Sequence, residues 1–271
     1  MKNIVAILFI VFLSTGCREI IELKLPSAPE KLVIEGLVTD NEGPYTVVLS
    51  TVGDYFENNS PPTVSGAKVT ISDISSGMSE ILAEGEPGHY KTSSLRGTAG
   101  NTYQLQVEVN GEIFISTATM PIAPIFDSLN YKYQPESTFR DEGYYIYFYG
   151  KTDKSQINYY RWLVYENDSL YNDRSDYILA TDEFIQENVR GLEFPYAFNE
   201  GDTVRITMFG LNREVYNYFN ELVNLLFNDG GLFSSPPVNP TSNIRNETNP
   251  RNVPLGYFQV SPSTSREIII K

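Results

Sequence analysis

Thr102-Tyr103-Gln104-Leu105-Gln106-Val107-Glu108-Val109-Asn110-Gly111-Glu112-Ile113-Phe114-Ile115-Ser116-Thr117-Ala118-Thr119-Met120 is the stretch that decides the fold class. From Tyr103 to Val109 aromatic or aliphatic residues alternate with polar ones, so one face of an extended strand meets a core and the other meets water. Asn110-Gly111 separates this run from a second one, and that dipeptide tolerates the positive φ angles of a two-residue hairpin turn. The reading is a β-hairpin, Thr102 to Val109 with Glu112 to Met120.

Upstream the same grammar repeats. Lys31 to Thr39 and Tyr45 to Thr51 are β-branched runs parted by Asp40-Asn41-Glu42-Gly43-Pro44, a cluster of turn formers at hairpin length. Lys68 to Ser72, Ser79 to Glu84 and His89 to Ser93 follow. Seven short strands in residues 31–120 suit an immunoglobulin-like β-sandwich, without the Cys and Trp hallmarks of antibody domains.

Downstream, Met120-Pro121-Ile122-Ala123-Pro124 ends that unit, because neither proline can sit in a central strand. A second β-rich domain is expected over 125–271, with strands Ser128 to Tyr133, Tyr144 to Gly150, Tyr159 to Tyr165, Asp176 to Ala180 and Thr203 to Leu211. Val215, Tyr218, Phe219, Leu222, Val223 and Leu226 recur at helical spacing, which predicts an amphipathic helix over 213–228. Asn212 caps its start, and Gly230-Gly231 lie beyond its end. Ser234 to Pro254 carries Pro236, Pro237, Pro240, Pro250 and Pro254 and reads as a long loop at a partner- or ligand-facing surface. Gly256 to Val260 and Arg266 to Ile270 close the domain as strands.

The N-terminus follows other rules. Lys2 precedes an unbroken apolar run, Ile4 to Leu13, and Ser14-Thr15-Gly16 lead into Cys17. The run is about half of the ~20 residues that a transmembrane helix needs, so it reads as a removable signal. Residues 1–16 are thus expected to be a lipoprotein signal peptide, Cys17 the lipidated residue, and 17–30 a tether with Pro26 and Pro29. Leu13 stands four residues before Cys17 and Ser14 three before, a slight departure from the usual lipobox, which places an apolar residue there. Diacylation of the sulfur and acylation of the new amine exceed the two lipid signals needed for stable anchoring.

Composition removes several function classes. The net charge of −14 repels phosphate backbones, so nucleic acid is not an expected partner. Cys17 is the only cysteine, which leaves no thiol for a disulfide, a Cys-based zinc site or a nucleophile once it is lipidated. His89, the only histidine, opens a strand after Glu86-Pro87-Gly88, and no Gly-x-Ser-x-Gly elbow is present to supply a nucleophile beside it. No P-loop, dinucleotide fingerprint or His-Glu-x-x-His pattern occurs, and no cofactor or metal is assigned.

The lipobox, the arm ending in Leu25-Pro26, Leu32-Val33-Ile34-Glu35-Gly36, Gly66-Ala67-Lys68-Val69-Thr70-Ile71, Gly88-His89-Tyr90 and Leu255-Gly256-Tyr257-Phe258 together resemble the Bacteroidota lipoproteins grouped as domain of unknown function 4249. The resemblance spans nearly the whole chain after the signal. It implies an outer-membrane lipoprotein often encoded near TonB-dependent transporters, and it brings no catalytic or binding residues with it.

Three surface features remain as candidates. Tyr145, Tyr147 and Tyr149 alternate with Ile146 and Phe148, and Tyr160 and Trp162 repeat the pattern nearby, so a row of aromatic side chains could recognise a sugar or a peptide. Cross-strand packing is the plainer account of the same pattern. Asp127-Ser128-Leu129, Asp168-Ser169-Leu170 and Asp202-Thr203-Val204 resemble the short O-glycosylation acceptor of Bacteroidota, marking Ser128, Ser169 and Thr203. Asp141-Glu142, Asp173, Asp176 and Asp182-Glu183 could supply the two carboxylates of a glycosidase, or could simply be solvated. Asn172 to Asp176 clusters oxygen ligands but lacks the Gly and bidentate Glu of an EF-hand loop. The expected role is a non-enzymatic, lipid-anchored binding or accessory component of an outer-membrane complex, with a membrane protein as partner, at a TonB-dependent transporter. A carbohydrate-acting hydrolase and a structural or adhesive surface module are the competing classes.

Overall fold

The computed structural model describes residues 31–52, 61–228, 230 and 236–271. The expected signal peptide, Cys17 and the tether lie outside the described residues, as does the first part of the late loop. Strands β1 (Leu32–Thr39), β2 (Thr46–Thr51), β3 (Lys68–Asp73), β4 (Met78–Ile81), β5 (Ala83–Glu84), β6 (His89–Lys91), β7 (Thr102–Val109) and β8 (Glu112–Thr119) make the first unit. Two sheets hold them, β1-β2-β6-β5 and β4-β3-β7-β8. That division of strands is the ABED and C′CFG pairing of immunoglobulin-type sandwiches.

The deciding hairpin forms as its sequence demands. β7 pairs with β8 from Thr102↔Thr119 to Val109↔Glu112, and Asn110 and Gly111 take φ of 53° and 77° in the turn. Tyr103, Leu105, Val107 and Val109 are buried and the residues between them are half-exposed. Tyr103 also stands in for the missing hallmarks. Its hydroxyl accepts from Thr98 N at 2.7 Å and donates to Arg96 O at 3.4 Å, a tyrosine corner at the start of the F-equivalent strand.

After the Pro121–Pro124 connector come β9 (Ile125–Gln134), β10 (Gly143–Lys151), β11 (Tyr159–Glu166), β12 (Ser169–Leu170), β13 (Ile178–Thr181), β14 (Asn188–Glu193) and β15 (Thr203–Leu211), then helix α1 (Arg213–Leu226), and finally β16 (Arg245–Asn246), β17 (Leu255–Ser261) and β18 (Ser263–Ile269). The sheets β14-β10-β9 and β12-β11-β15-β18, with β13 also on β11, enclose a core that includes Ile146, Phe148, Trp162, Phe194 and Ile206.

The second unit is not the continuous segment 125–271. β17 lies parallel to β1 from Val33↔Leu255 to Thr39↔Ser261, and β16 pairs with β8, so both strands extend the first sandwich. Their side chains explain the return: Ile244, Phe258 and Val260 are buried in the first core. Burial of this kind stabilises by roughly 1.5–3 kcal/mol for each large apolar side chain. The late loop is therefore seated from Asn243 onwards. Asn243 Nδ2 donates to Phe258 O at 2.9 Å and its Oδ1 accepts from Phe258 N at 2.9 Å, so a side-chain amide imitates a neighbouring strand. Asn246 holds the next turn through Thr248 N, Asn249 N and Asn252 O.

Two devices lock the units together. β17 runs through Pro262 straight into β18, so one extended segment serves a sheet of each unit. Helix α1 begins where Asn212 Oδ1 accepts from Val215 N at 3.0 Å, and it buries Val215, Tyr218 and Phe219. These residues pack with Phe209 and Leu211 of β15, Tyr159 and Leu163 of β11 and Tyr257 of β17. The helix fills the angle between the sandwiches.

Candidate functional site

The tyrosine row occupies the outer face of the three-stranded sheet, but little of it faces water. Tyr145 and Tyr147 are buried and Tyr149 is half-buried. Residues from elsewhere cover them. Arg140 lies over the Tyr145 ring at 4.6 Å, and Lys132 of β9, across the pairing from Tyr145, lies over the Tyr147 ring at 5.1 Å. The Tyr147 hydroxyl donates to Glu193 Oε2 at 2.6 Å and accepts from Gln134 Nε2 at 2.9 Å, while Glu193 also pairs with Arg140. The hydrogen bond to Glu193, with burial second, pushes the Tyr147 hydroxyl above its ordinary range. Tyr160 and Trp162 face the opposite way, into the second core. The expected flat aromatic platform is thus corrected: Tyr145 and Tyr147 are capped, Tyr149 is half-buried beside them, and Tyr160 and Trp162 belong to the interior.

The other sequence candidates separate as well. Ser128 and Ser169 are exposed, whereas Thr203 is half-buried in a strand paired on both sides, with its N–H bonded to Asn167 Oδ1. Asp141, Glu142, Asp173 and Glu183 are exposed. Asp176 accepts from Asp173 N in its own loop and from Tyr196 Oη beyond β14, so both carboxylate oxygens already have donors. Among the described residues no three His, Cys, Asp or Glu side chains converge as a metal group would require. His89 Nδ1 lies 3.1 Å from Pro87 O, within its own turn.

Asp182 is the exception among these candidate carboxylates, because it is fully buried. Its Oδ1 accepts from Asn158 N at 2.8 Å, and its Oδ2 accepts from Asn158 Nδ2 at 2.7 Å and Tyr160 Oη at 3.2 Å. Lys154 Nζ donates to Asp182 O at 2.5 Å. Burial, with the Asp182 charge second, pushes the Tyr160 hydroxyl well above its usual range. This network fixes the 152–158 loop against the second core.

That loop is one wall of a cavity of about 430 Å³ at the junction of the units. The Pro121–Pro124 connector forms another wall, and the end of β15 with the capped start of α1 forms a third. Ile122, Ile125 and Ile157 contribute to its lining although they are 65%, 53% and 48% exposed, so an apolar rim faces solvent. Lys151, Asp153, Glu187 and Arg213 add two charges of each sign.

A smaller chamber of about 20 Å³ adjoins it, with Pro124, Lys151, Thr152 and Tyr160 shared between the two linings. Trp162 lines the chamber, is 3% exposed, and its Nε1–H has no hydrogen-bond partner. Thr152 Oγ1, in the shared wall, is shielded and unpartnered too. Sequence reasoning named two residues of this site, Tyr160 and Trp162, but as part of an exposed aromatic row and not as the wall of a cavity. A further signal was Ile122, an apolar residue isolated between prolines with no strand or helix to bury it.

Among described residues no helix is long and apolar enough to cross a membrane. No curated protein matches the chain. Residues 18–267 match the family model described as Domain of unknown function (DUF4249), and with almost all of the sequence covered the chain belongs to that family.

Proposed function

We propose that the protein is a lipid-anchored outer-membrane component that acts by binding rather than by catalysis, as an accessory of an envelope complex at a TonB-dependent transporter. The observation that carries the binding role is the junction cavity, whose exposed isoleucines and mixed charges suit the reversible holding of a ligand. Its volume lies within the range of small-molecule sites, and its walls are held in place by the Asp182 network and the helix cap before any ligand arrives. Anchoring rests on the N-terminal pattern: a positive residue, a short apolar run, small residues and the sole cysteine. The Bacteroidota origin and the transporter association rest on the family resemblance.

Two experiments test this reading. Cys17→Ala is expected to abolish incorporation of labelled palmitate, because the thioether needs that sulfur. Normal labelling of the variant removes the anchor from the proposal. Purification of the tagged protein from its native membrane in mild detergent should bring down an outer-membrane protein in stoichiometric amount. Recovery of the lipoprotein alone argues against an accessory role.

A further inference from the structure

We infer that the junction cavity and its inner chamber form one binding site for a small monocarboxylate with an apolar body. Two groups at the chamber are orphaned. An indole N–H can only donate, and a buried donor left without an acceptor is a cost that folded proteins rarely leave unmet. Trp162 Nε1 is such a donor, and the shielded Thr152 hydroxyl lines the same chamber. A volume of about 20 Å³ admits one oxygen atom, in a chamber whose wall carries both unpartnered groups.

The lining also bears on the charge of a bound ligand. Lys151 is the only charged residue of the chamber, and it forms no ion pair among the described residues. Asp153 and Glu187 line the outer cavity alone. The rest of the chamber wall is largely apolar, so a carboxylate reaching Trp162 has its charge met by exposed Lys151 at the shared wall and keeps its second oxygen on that side. The remaining body of the ligand lies in the outer cavity, against the apolar surface of Ile122, Ile125 and Ile157. Apolar contact there and charge-assisted hydrogen bonds at the inner end select an amphipathic carboxylate over a sugar or a dication. The inference extends the binding reading but needs neither the lipid anchor nor the partner, so each can fail without the other.

Trp162 is the single tryptophan of the chain, which makes its emission a direct reporter of the chamber. The full-length protein in mild detergent is titrated with hexanoate and, separately, with hexanamide, which keeps the body and removes the charge. A saturable change in tryptophan emission is expected with hexanoate, and binding of hexanamide about tenfold weaker. Thr152→Val should weaken hexanoate by a similar factor, and Lys151→Gln should bring the two probes close to equal affinity. Trp162→Phe retains the ring but lacks the donor, and calorimetry should show the same loss in this non-fluorescent variant. Circular dichroism melts establish that each variant is folded, and Thr152→Val suffices if Trp162→Phe is not. No saturable signal with either probe means that the chamber holds a resident water only, which overturns the inference. Equal binding of both probes by the unaltered protein, or binding insensitive to Thr152→Val, overturns it equally.

Discussion

Phe219→Ala should release helix α1 from the angle between the two sandwiches. The Phe219 ring is 2% exposed, and its centroid lies 4.9 Å from that of Tyr257 on β17, 5.6 Å from Tyr218 and 6.3 Å from Tyr177. The Arg161 guanidinium of β11 sits 4.2 Å above it, with its Nε lacking any hydrogen-bond partner. Truncation removes the transfer free energy of a buried ring and leaves a cavity bounded by strands of both units, which together cost about 3–5 kcal/mol. It also takes away the aromatic face under a half-buried cation, a contact worth about 0.5–2 kcal/mol. A loss of about 4 kcal/mol is a large share of the ~5–15 kcal/mol that holds a typical protein folded. Urea unfolding followed by circular dichroism and tryptophan emission should show the midpoint fall by roughly 1.5 M, taking a slope of about 2.5 kcal/mol per M. Asn217→Ala, on the exposed side of the same helix, should move it by less than about 0.2 M. A Phe219→Ala shift as small as the Asn217→Ala shift would refute the claim that the helix joins the units.

Three further outcomes are expected. Glu80 is pushed up by partial burial, but hydrogen bonds from Ser93, Leu95 and Ser94 outweigh this and hold its carboxyl down at about 2, from an ordinary 4.5. Its contribution is therefore fully present above pH 4.5 and lost as pH falls through about 2; after allowance for solvent screening it amounts to about 1–2 kcal/mol. Glu80→Gln should flatten the stability profile across that window, and an unchanged acid limb would count against the reading. Asn243→Leu should leave the Phe258 N–H and C=O without their partner and cost about 2–3 kcal/mol, read as a lower melting temperature, whereas a neutral effect would mean that the late loop is not seated. Gly210→Val should overpack the junction, because a Cβ there already lies 3.1 Å from Pro262 Cγ and 3.5 Å from Pro124 Cδ; a destabilisation of about 1–3 kcal/mol by thermal melting is expected, and none would show that the connectors yield freely.

Local signals were legible and pairing partners were not. The hairpin at Asn110-Gly111 and the helix at Arg213–Leu226, two residues shorter than its periodicity suggests, depend on neighbours in the chain and could be read from it. Leu255 to Val260 reads as a strand, but nothing in its residues says that it runs parallel to Leu32–Thr39, more than 200 positions earlier. β14 escaped notice because Gly191 and Arg190 interrupt a weak alternation that only pairing with β10 makes a strand. At the tyrosine row the phase was right and the exposure was not: Ile146 and Phe148 do point inward, but cover over Tyr145 and Tyr147 comes from Lys132, Arg140 and Glu193 on other segments. β11 defeated the one-face assumption altogether. Tyr160 and Trp162 meet the opposing sheet while Tyr159 and Leu163 meet the helix, so neither face was free to be a surface.

The junction cavity owes its existence to the same return of the chain that hid the domain organisation. A fold made of two sandwiches in sequence could hinge at Pro121–Pro124, and a cavity between connector and second unit would open and close with the hinge. Here β17 and β18 make a second crossing beside the first. Gly210, the point on β15 with no side chain, lies against Pro124 of one crossing and Pro262 of the other. Ser263 adds a tie on the far side, its N–H donating to Asp40 Oδ1 and its hydroxyl accepting from Asn41 Nδ2, both at 2.8 Å. Rotation about either connector would therefore break contacts made by the other. These ties restrain the connector that carries Ile122 relative to the loop that carries Ile157, both of which line the cavity. A preformed site forgoes the ordering cost that a hinged one would incur on binding. That makes the junction, more than either sandwich face, the place where the proposed binding role should be tested.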